Sequence, residues 1–318
     1  YEQDKRYNKR TYPDLPAVVV DQTLKRLHRS LTRFFQARKQ GKRVGFPRFK
    51  AAQRWHSIEF RDAGHALKGS YFQAGKLCGG KIRTVVHRPL EGEFGHARII
   101  RRPSGWYLQC VCEVEAKPLP PTGKAIGIDM GLKALVVDSE GVVTPHPQCL
   151  KTALKNLAHS QRLLCRKQKG SRRRQKQGHV VARQHERVAN RRKDCLHKIA
   201  RRYVNAYDTI VVEDLQVSNM LRNHHLARAI SDASWSMLRL YLESKAEEAG
   251  RQVIAVPSRF TSQKCSACGE HVEKSLSVRT HLCPFCGYVA DRDKNAARNI
   301  LRKGLDEAIG EGLQWATR

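Results

Sequence analysis

Two Cys-x-x-Cys units, Cys265-Ser-Ala-Cys268 and Cys283-Pro-Phe-Cys286, constrain this chain more than any other feature. Fourteen residues separate them, and a glycine directly follows each pair, Gly269 and Gly287. A glycine there permits the tight turn that lets both sulfurs of a pair grip one ion. Four thiolates suit a tetrahedral Zn²⁺ in a closed structural site, with no open position for a catalytic water. So short a segment holds no apolar core, and metal binding is expected to fold it. His271 and His281 lie near enough to replace a thiolate, but four cysteines already complete the tetrahedron. Cys78, Cys110, Cys112, Cys149, Cys165 and Cys195 show no framework spacing. That pattern suits reduced cytosolic thiols better than a secreted disulfide scaffold.

Charge is the second constraint. Sixty Lys and Arg against 29 Asp and Glu leave a formal net charge of +31. A field that positive opposes the compact state unless an anion neutralises it. Nucleic acid is the usual anion, because each Lys or Arg docked on a phosphate releases counterions. No apolar run reaches the roughly 18 residues of a membrane span, and no signal peptide is visible. The hydrophobic content of 40% is ordinary, and 318 residues allow two or three domains.

The charge concentrates between Lys151 and Arg202, where 18 Lys or Arg meet two acids, Glu186 and Asp194. A thin apolar stripe (Leu154, Leu157, Leu164, then Val181, Val188, Cys195, Ile199 and Tyr203) predicts a helical hairpin over 151–207. Its break is expected at Gly170–Gly178, a strongly cationic tip. Solvated faces normally mix charge signs, and this one does not. Phosphate contacts are expected from Arg162, Arg166, Lys167, Lys169, Arg172, Arg173, Arg174, Lys176, Arg183, Arg187, Arg191 and Arg192. Such contacts position nucleic acid without reading bases.

Elsewhere, apolar positions at helical spacing over residues 14–40 predict a basic amphipathic helix or helix pair. Over 55–116, short β-prone runs at Gly80–Val86, Ala97–Arg102 and Trp106–Val114 predict a small antiparallel sheet or barrel. Pro118, Pro120 and Pro121 form a stiff linker. From Lys124, strands alternate with helices as in an α/β core: Ala125–Ile128, Ala134–Val137, Tyr207–Val212 and Gln252–Val256 as strands, Ser234–Ala249 as a helix, and a last helix from about 294. The implied domains are residues 1–45, 46–118, 122–260, 261–290 and 291–318.

Three acids stand at element boundaries. Asp129 and Glu213 each end an apolar strand, and Asp293 opens the last helix. Acids at buried strand ends need neutralising partners, and three converging acids repel unless cations oppose them. Carboxylates holding two Mg²⁺ roughly 4 Å apart are what metal-dependent phosphodiester hydrolysis requires. Plainer readings remain for two of them. Asp293 fits a helix N-cap, and Asp129 a turn residue before Gly131. Asp138, Asp214 and Asp291 read as solvated or locally bonded carboxylates.

Taken together, Gly-Ile-Asp-Met-Gly at 127–131, Val-Val-Glu-Asp-Leu at 211–215, and the run from Thr261 through both cysteine pairs to Asp-Lys-Asn-Ala-Ala-Arg-Asn-Ile300 resemble the three RuvC motifs and zinc finger of the TnpB family. That family is carried by insertion sequences and is similar to compact type V CRISPR effectors. The resemblance implies an RNase H-like RuvC nuclease core with an inserted zinc ribbon, preceded by a helical recognition segment and a small antiparallel β (wedge) domain. It assigns Asp129, Glu213 and Asp293 as catalytic ligands of Mg²⁺ or Mn²⁺, and Cys265, Cys268, Cys283 and Cys286 to structural Zn²⁺. It further implies a guide RNA from the transposon end, a target DNA, and a place in a bacterial or archaeal cytoplasm at the nucleoid. Relative to that pattern the chain, which opens on Tyr1, lacks a first strand and helix of the wedge and recognition regions. A transposase acting on its own element's ends and an RNA-guided DNA-binding protein without cleavage are the competing readings. All three acids are present, which favours cleavage.

Overall fold

The computed structural model describes residues 16–310, apart from 49–50, 52–53, 62, 76 and 276–277. It forms two compact units, divided in sequence between Glu115 and Ala116.

The first unit opens with α1 (Ala17–Lys39), whose spacing of apolar residues turns Val19 onto a small core. That core is built around Phe60 and Phe72, whose rings meet edge to face at 5.2 Å. It sits between two antiparallel three-stranded sheets. One has the order β1 (Ser57–Phe60), β5 (Glu93–Arg102), β6 (Gly105–Glu113); the other runs β2 (Leu67–Lys68), β3 (Tyr71–Gln73), β4 (Lys81–Arg83). The run expected as one strand over 80–86 is interrupted. Gly79 and Gly80 take left-handed φ values of 69° and 88°, closing a 3₁₀ turn at Leu77–Gly80, so pairing starts only at Lys81.

The second unit is a five-stranded sheet covered on both faces. Its strands are β7 (Ala125–Asp129), β8 (Ala134–Asp138), β9 (Val143–Pro145), β10 (Thr209–Glu213) and β11 (Gln252–Val256). Their spatial order is β11-β10-β7-β8-β9. The first three form an antiparallel meander, while β10 and β11 join it in parallel. Strands buried on both faces read as near-continuous apolar runs, as Ile210-Val-Val212 does.

Between β9 and β10 the chain makes a helical hairpin, α2 (Cys149–Cys165) and α3 (Arg172–Ala206). The break is shorter than expected, confined to 166–171, and Gly178 lies inside α3. Ser171 caps α3 by accepting from the Arg174 N–H at 3.1 Å. The Arg174 guanidinium donates to the carbonyls of Leu164 and Lys167 at 2.6 and 3.0 Å, closing the end of α2. Only the distal half of α3 reaches the main core. There Leu196, Ala200, Tyr203 and Val204 pack with Ile126, Ile128, Ile210 and Val212 from the sheet and with Leu238 and Leu242.

After β10 come α4 (Val217–Met220), α5 (Ala227–Ala233) and α6 (Trp235–Ala249), which carries Leu238 and Leu242. Beyond β11, a short hairpin of β12 (Thr280–Leu282) and β13 (Val289–Asp291) leads into α7 (Arg292–Gly310).

Candidate active site and metal centre

The parallel pair β7 and β10 holds Val212 opposite Ile128, so the next residues, Glu213 and Asp129, end the two strands side by side. Side chains alternate across a strand. Ile126, Ile128, Ile210 and Val212 point to the α3/α6 face. Gly127, Asp129, Val211 and Glu213 therefore share the other face, the one α7 covers. Two glycines bring α7 down onto it. A Cβ at Gly127 would lie 2.7 Å from the Leu301 nitrogen and 2.8 Å from the Leu301 Cβ, and closer still to the Ala297 carbonyl oxygen. A Cβ at Gly304 would lie 2.6 Å from a Val211 methyl. Asp293, one turn before Ala297, is thereby delivered to the end of β7 that carries Asp129.

The cap of α7 is Asp291. Its Oδ1 accepts from the N–H groups of Asp293 and Lys294 at 2.8 and 3.3 Å. Capping by the residue two positions earlier frees the Asp293 carboxylate from the role that its sequence position allowed. Asp129 is likewise not a turn anchor, since among the described residues no donor bonds its carboxylate. Asp138 is buried and locally bonded, accepting from Val142 N–H at 2.8 Å and from the Tyr203 hydroxyl at 3.1 Å. Asp214 pairs with Arg239.

Burial, followed by repulsion from Glu213 and Asp293, pushes the Asp129 carboxyl up from its ordinary value to about 8. Burial also raises Glu213, opposed by a hydrogen bond from Thr261 and by the charge of Lys303. The Thr261 hydroxyl donates to Glu213 at 2.6 Å. Thr261 is a site residue that the acid pattern does not reveal; its only sequence signal is its place just ahead of the first cysteine pair. A divalent cation between these groups would remove the repulsion and return the acids to their charged form. Asp129 feels the charge of both other acids, but the three carboxylates do not close up. Among the described residues, only the four cysteines bring three or more such ligand atoms within 4.8 Å. Asp293 is turned to Arg292 at 3.2 Å and Arg279 at 3.7 Å, so binding a shared cation requires it to exchange those partners.

The cysteine site is drawn together more tightly. Cys265 and Cys286 sulfurs are 3.7 Å apart, and those of Cys268 and Cys283 are 3.6 Å apart. A tetrahedron of Zn–S bonds near 2.3 Å has edges of about 3.8 Å, whereas a disulfide needs about 2.05 Å. The donor set and spacing fit Zn²⁺. Each pair forms a knuckle: Gly269 N–H donates to the Cys265 carbonyl at 2.9 Å and Gly287 N–H to that of Cys283 at 3.0 Å. Both glycines are left-handed, with φ of 85° and 72°. His271 and His281 stay out of the cluster; His271 meets Gln263, and buried His281 meets Lys274. The knuckles are also fastened to α7. Asn295 accepts from Ser266 N–H at 2.9 Å and donates to the Lys264 carbonyl at 2.7 Å, and Asn299 donates to the Thr261 and Lys264 carbonyls at 2.9 and 2.7 Å.

The structure divides the basic set. Arg162, Arg166, Lys169, Arg172, Arg173, Lys176, Arg183, Arg187 and Arg191 are exposed along the hairpin, and Lys167 is half-buried. Arg174 closes α2, and Arg192 pairs with the buried Asp232 at 2.7 Å. These two are used within the protein, where they lock the hairpin. In the first unit, exposed Trp106 and Tyr107 lie beneath Arg101 and Arg102, with ring centroids 5.8 and 5.5 Å away. Adjacent aromatics on a hairpin tip with arginines opposite were a signal that the β-run reading left unused.

Fold and site thus describe an α/β protein with acids at neighbouring strand ends and a four-cysteine cluster, spaced to hold a metal, tied to the adjoining helix. Residues 109–224 match a family described as "Probable transposase" (OrfB of IS605), and 235–300 match the Cas12f1-like TNB domain. A Streptomyces pristinaespiralis protein named "Putative RNA-guided DNA endonuclease" is 37% identical over 307 residues, covering 95% of this chain and 75% of its own. Escherichia coli K12 InsQ, which carries the same description, is 35% identical over 322 residues, 95% of this chain and 78% of its own. A cryo-EM structure of a Cas12f1–sgRNA–target DNA complex aligns at 16% identity with a TM-score of 0.43, covering 83% of this chain and 73% of that one. The chain belongs to the TnpB family. Among the described residues, no helix is long and apolar enough to cross a membrane.

Proposed function

We propose that the chain is an RNA-guided, divalent-metal-dependent DNA endonuclease with an RNase H-like RuvC core. The observation that carries this reading is the meeting of Asp129 and Glu213 at adjoining strand ends beneath the first turn of α7, where Asp291 caps the helix and leaves Asp293 available. A meander of three strands extended by two parallel ones supports the RNase H-like assignment. Asp129, Glu213 and Asp293 would hold Mg²⁺ or Mn²⁺, which when bound would supply a nucleophile near neutral pH and stabilise the leaving oxygen. Asp129 and Glu213 provide fixed ligands from the sheet. Asp293 would provide a third, after exchanging Arg292 and Arg279 for the cation. Thr261 orients Glu213 through its hydroxyl.

The remaining parts take supporting roles in this reading. The exposed arginines of the α2–α3 hairpin hold phosphates, consistent with base pairing to the guide carrying sequence specificity. Residues 46–118 serve as the wedge, with Trp106 and Tyr107 as a stacking platform for RNA bases. Residues 1–45 belong to the recognition lobe, and 261–290 to the zinc ribbon that meets the target. The test is cleavage of a labelled duplex matching a guide RNA taken from the transposon end, comparing wild type, Asp129→Ala and wild type in EDTA. Cutting that needs RNA and metal and is lost in Asp129→Ala supports the proposal. RNA-dependent binding without cutting in Mg²⁺ or Mn²⁺ refutes the endonuclease, and RNA-independent cutting at element ends points instead to a transposase.

A further inference from the structure

Between β11 and the first cysteine knuckle, the turn over 257–264 is pinned carbonyl by carbonyl. Those of Pro257 and Arg259 accept from the Lys303 Nζ at 2.8 and 3.1 Å. The Ser258 carbonyl accepts from the Thr261 N–H at 3.5 Å, and the Phe260 carbonyl from the Gln263 and Lys264 N–H groups at 3.2 and 3.0 Å. The Thr261 carbonyl accepts from the Asn299 amide at 2.9 Å. Held this way, Phe260 takes a left-handed φ of 66°. Among the described residues, only Gln148 and Ser234 do so without being glycine. A bulky residue is strained there, whereas glycine adopts the same conformation freely. Burial of the ring does not offset that strain, because Phe260 is 41% exposed.

What this turn presents is a flat apolar ring in a cleft of about 330 Å³. The Arg259 guanidinium lies over the ring, 4.6 Å from its centroid, and the His271 ring meets it at right angles, 5.4 Å away. Arg259, Lys264, Arg302 and Lys303 line the same cleft against one acid, Asp306. Lys303 is used in pinning the turn. The side chains of Lys264 and Arg302 are exposed and form no hydrogen bond or ion pair among the described residues. Arg302 rests against the first knuckle, where a Cβ at Gly269 would lie 3.2 Å from its guanidinium. Spare cations favour an anion, and an exposed ring favours a flat apolar body; a nucleotide supplies both. Thr261, the next residue, donates to Glu213, which places the cleft beside the strand that reaches the acids. We propose that the cleft binds an unpaired DNA nucleotide, its base stacked on Phe260 beside Arg259 and its phosphate on Arg302 and Lys264. The proposal rests on the nuclease reading and makes Phe260 a positioning residue for the strand being cut.

Iododeoxyuridine photo-crosslinks to an aromatic ring stacked on it. The direct test irradiates single-stranded DNA carrying that base on the full zinc-loaded chain in Ca²⁺ and locates the crosslink by mass spectrometry. The crosslink is expected at Phe260, and at lower yield in Arg302→Gln. Crosslinks only at other residues, or at Phe260 only from a guide RNA carrying iodouridine, overturn the DNA site. Phe260→Gly removes the ring and the backbone strain together. It should melt close to or above the wild-type temperature, yet cut a guide-matched duplex about tenfold or more slowly, the loss of one stacked base. Phe260→Tyr, which keeps a ring, should rescue the rate. If Phe260→Gly melts early, Arg302→Gln, which breaks no internal bond, decides the kinetic arm. A crosslink at Phe260 with normal cutting by these variants overturns the positioning role. Cutting by wild type without a crosslink at Phe260 overturns the site and leaves the nuclease standing. A crosslink there in a chain that never cuts sinks the nuclease and keeps the site.

Discussion

Gly127→Ala tests whether the proposed active site is assembled by seating α7 on the sheet. Gly127 has an ordinary strand conformation, so alanine meets no backbone strain there and would by itself stiffen the unfolded chain favourably, by up to about 1 kcal/mol. Against that, the new methyl would sit 2.8 Å from the Leu301 Cβ and nearer to the Ala297 carbonyl. Carbon atoms rest at roughly 3.5–4 Å, so the helix must lift by on the order of 1 Å. Overpacking of this kind costs about 1–3 kcal/mol and outweighs the entropic gain. For a unit the size of residues 116–318, a net loss of about 1 kcal/mol lowers the melting temperature by roughly 2–4 °C. The effect on cutting should be larger. Asp293 rides on the lifted helix, and a 1 Å misplacement can cost about 10²-fold in rate. The assay pairs thermal melting with single-turnover cleavage of a guide-matched duplex, with Gly304→Ala as the comparison. Gly304→Ala also overpacks, against Val211, but three turns from Asp293, so it should melt early and cut nearly normally. If Gly127→Ala melts and cuts like wild type, the close seating of α7 on β7 is wrong.

Other expectations follow from the same geometry. Replacing Asp291 by Ala should cost about 1 kcal/mol through the lost cap, read by melting, whereas Asp293→Asn should fold normally and lose cleavage. Without metal, Asp129 binds its proton more tightly folded, at about 8, than unfolded, near 3.8. That contribution to stability is full below pH 4 and lost as pH rises to 8. Melting in EDTA should show such a fall, flattened in Asp129→Asn and absent with Mg²⁺. Removing Arg192 strands the buried Asp232 and should cost about 3–5 kcal/mol in urea unfolding, without changing the salt dependence of nucleic-acid binding. Arg187→Ala should do the reverse, leaving stability intact and reducing the log–log salt slope by about one. Cys283→Ser should lose one zinc per chain by elemental analysis and, because Asn295 and Asn299 tie the knuckles to α7, should slow cutting as well.

What the sequence determined by itself was whatever short-range pattern encodes. Paired cysteines with following glycines specify a knuckle because the ligands lie within a few bonds of one another. Apolar strands such as Ile210-Val-Val212 and the sparse stripe of the hairpin declare their elements through periodicity alone. Asp129, Glu213 and Asp293 were singled out from their positions and from family likeness. What sets Asp129 and Glu213 at adjoining strand ends and lays α7 over them is long-range: parallel register between β7 and β10, and two glycines whose missing side chains let α7 approach. The roles of the individual charges were also out of reach. Asp291 and Asp293 are two residues apart and look alike in sequence, yet one caps a helix and the other pairs with Arg292 and Arg279. Arg174 and Arg192 are as basic as their neighbours, but only packing showed that a helix end and a buried carboxylate claim them. Charge and its sign are local properties of a chain, whereas the partner that neutralises a charge is chosen by the fold.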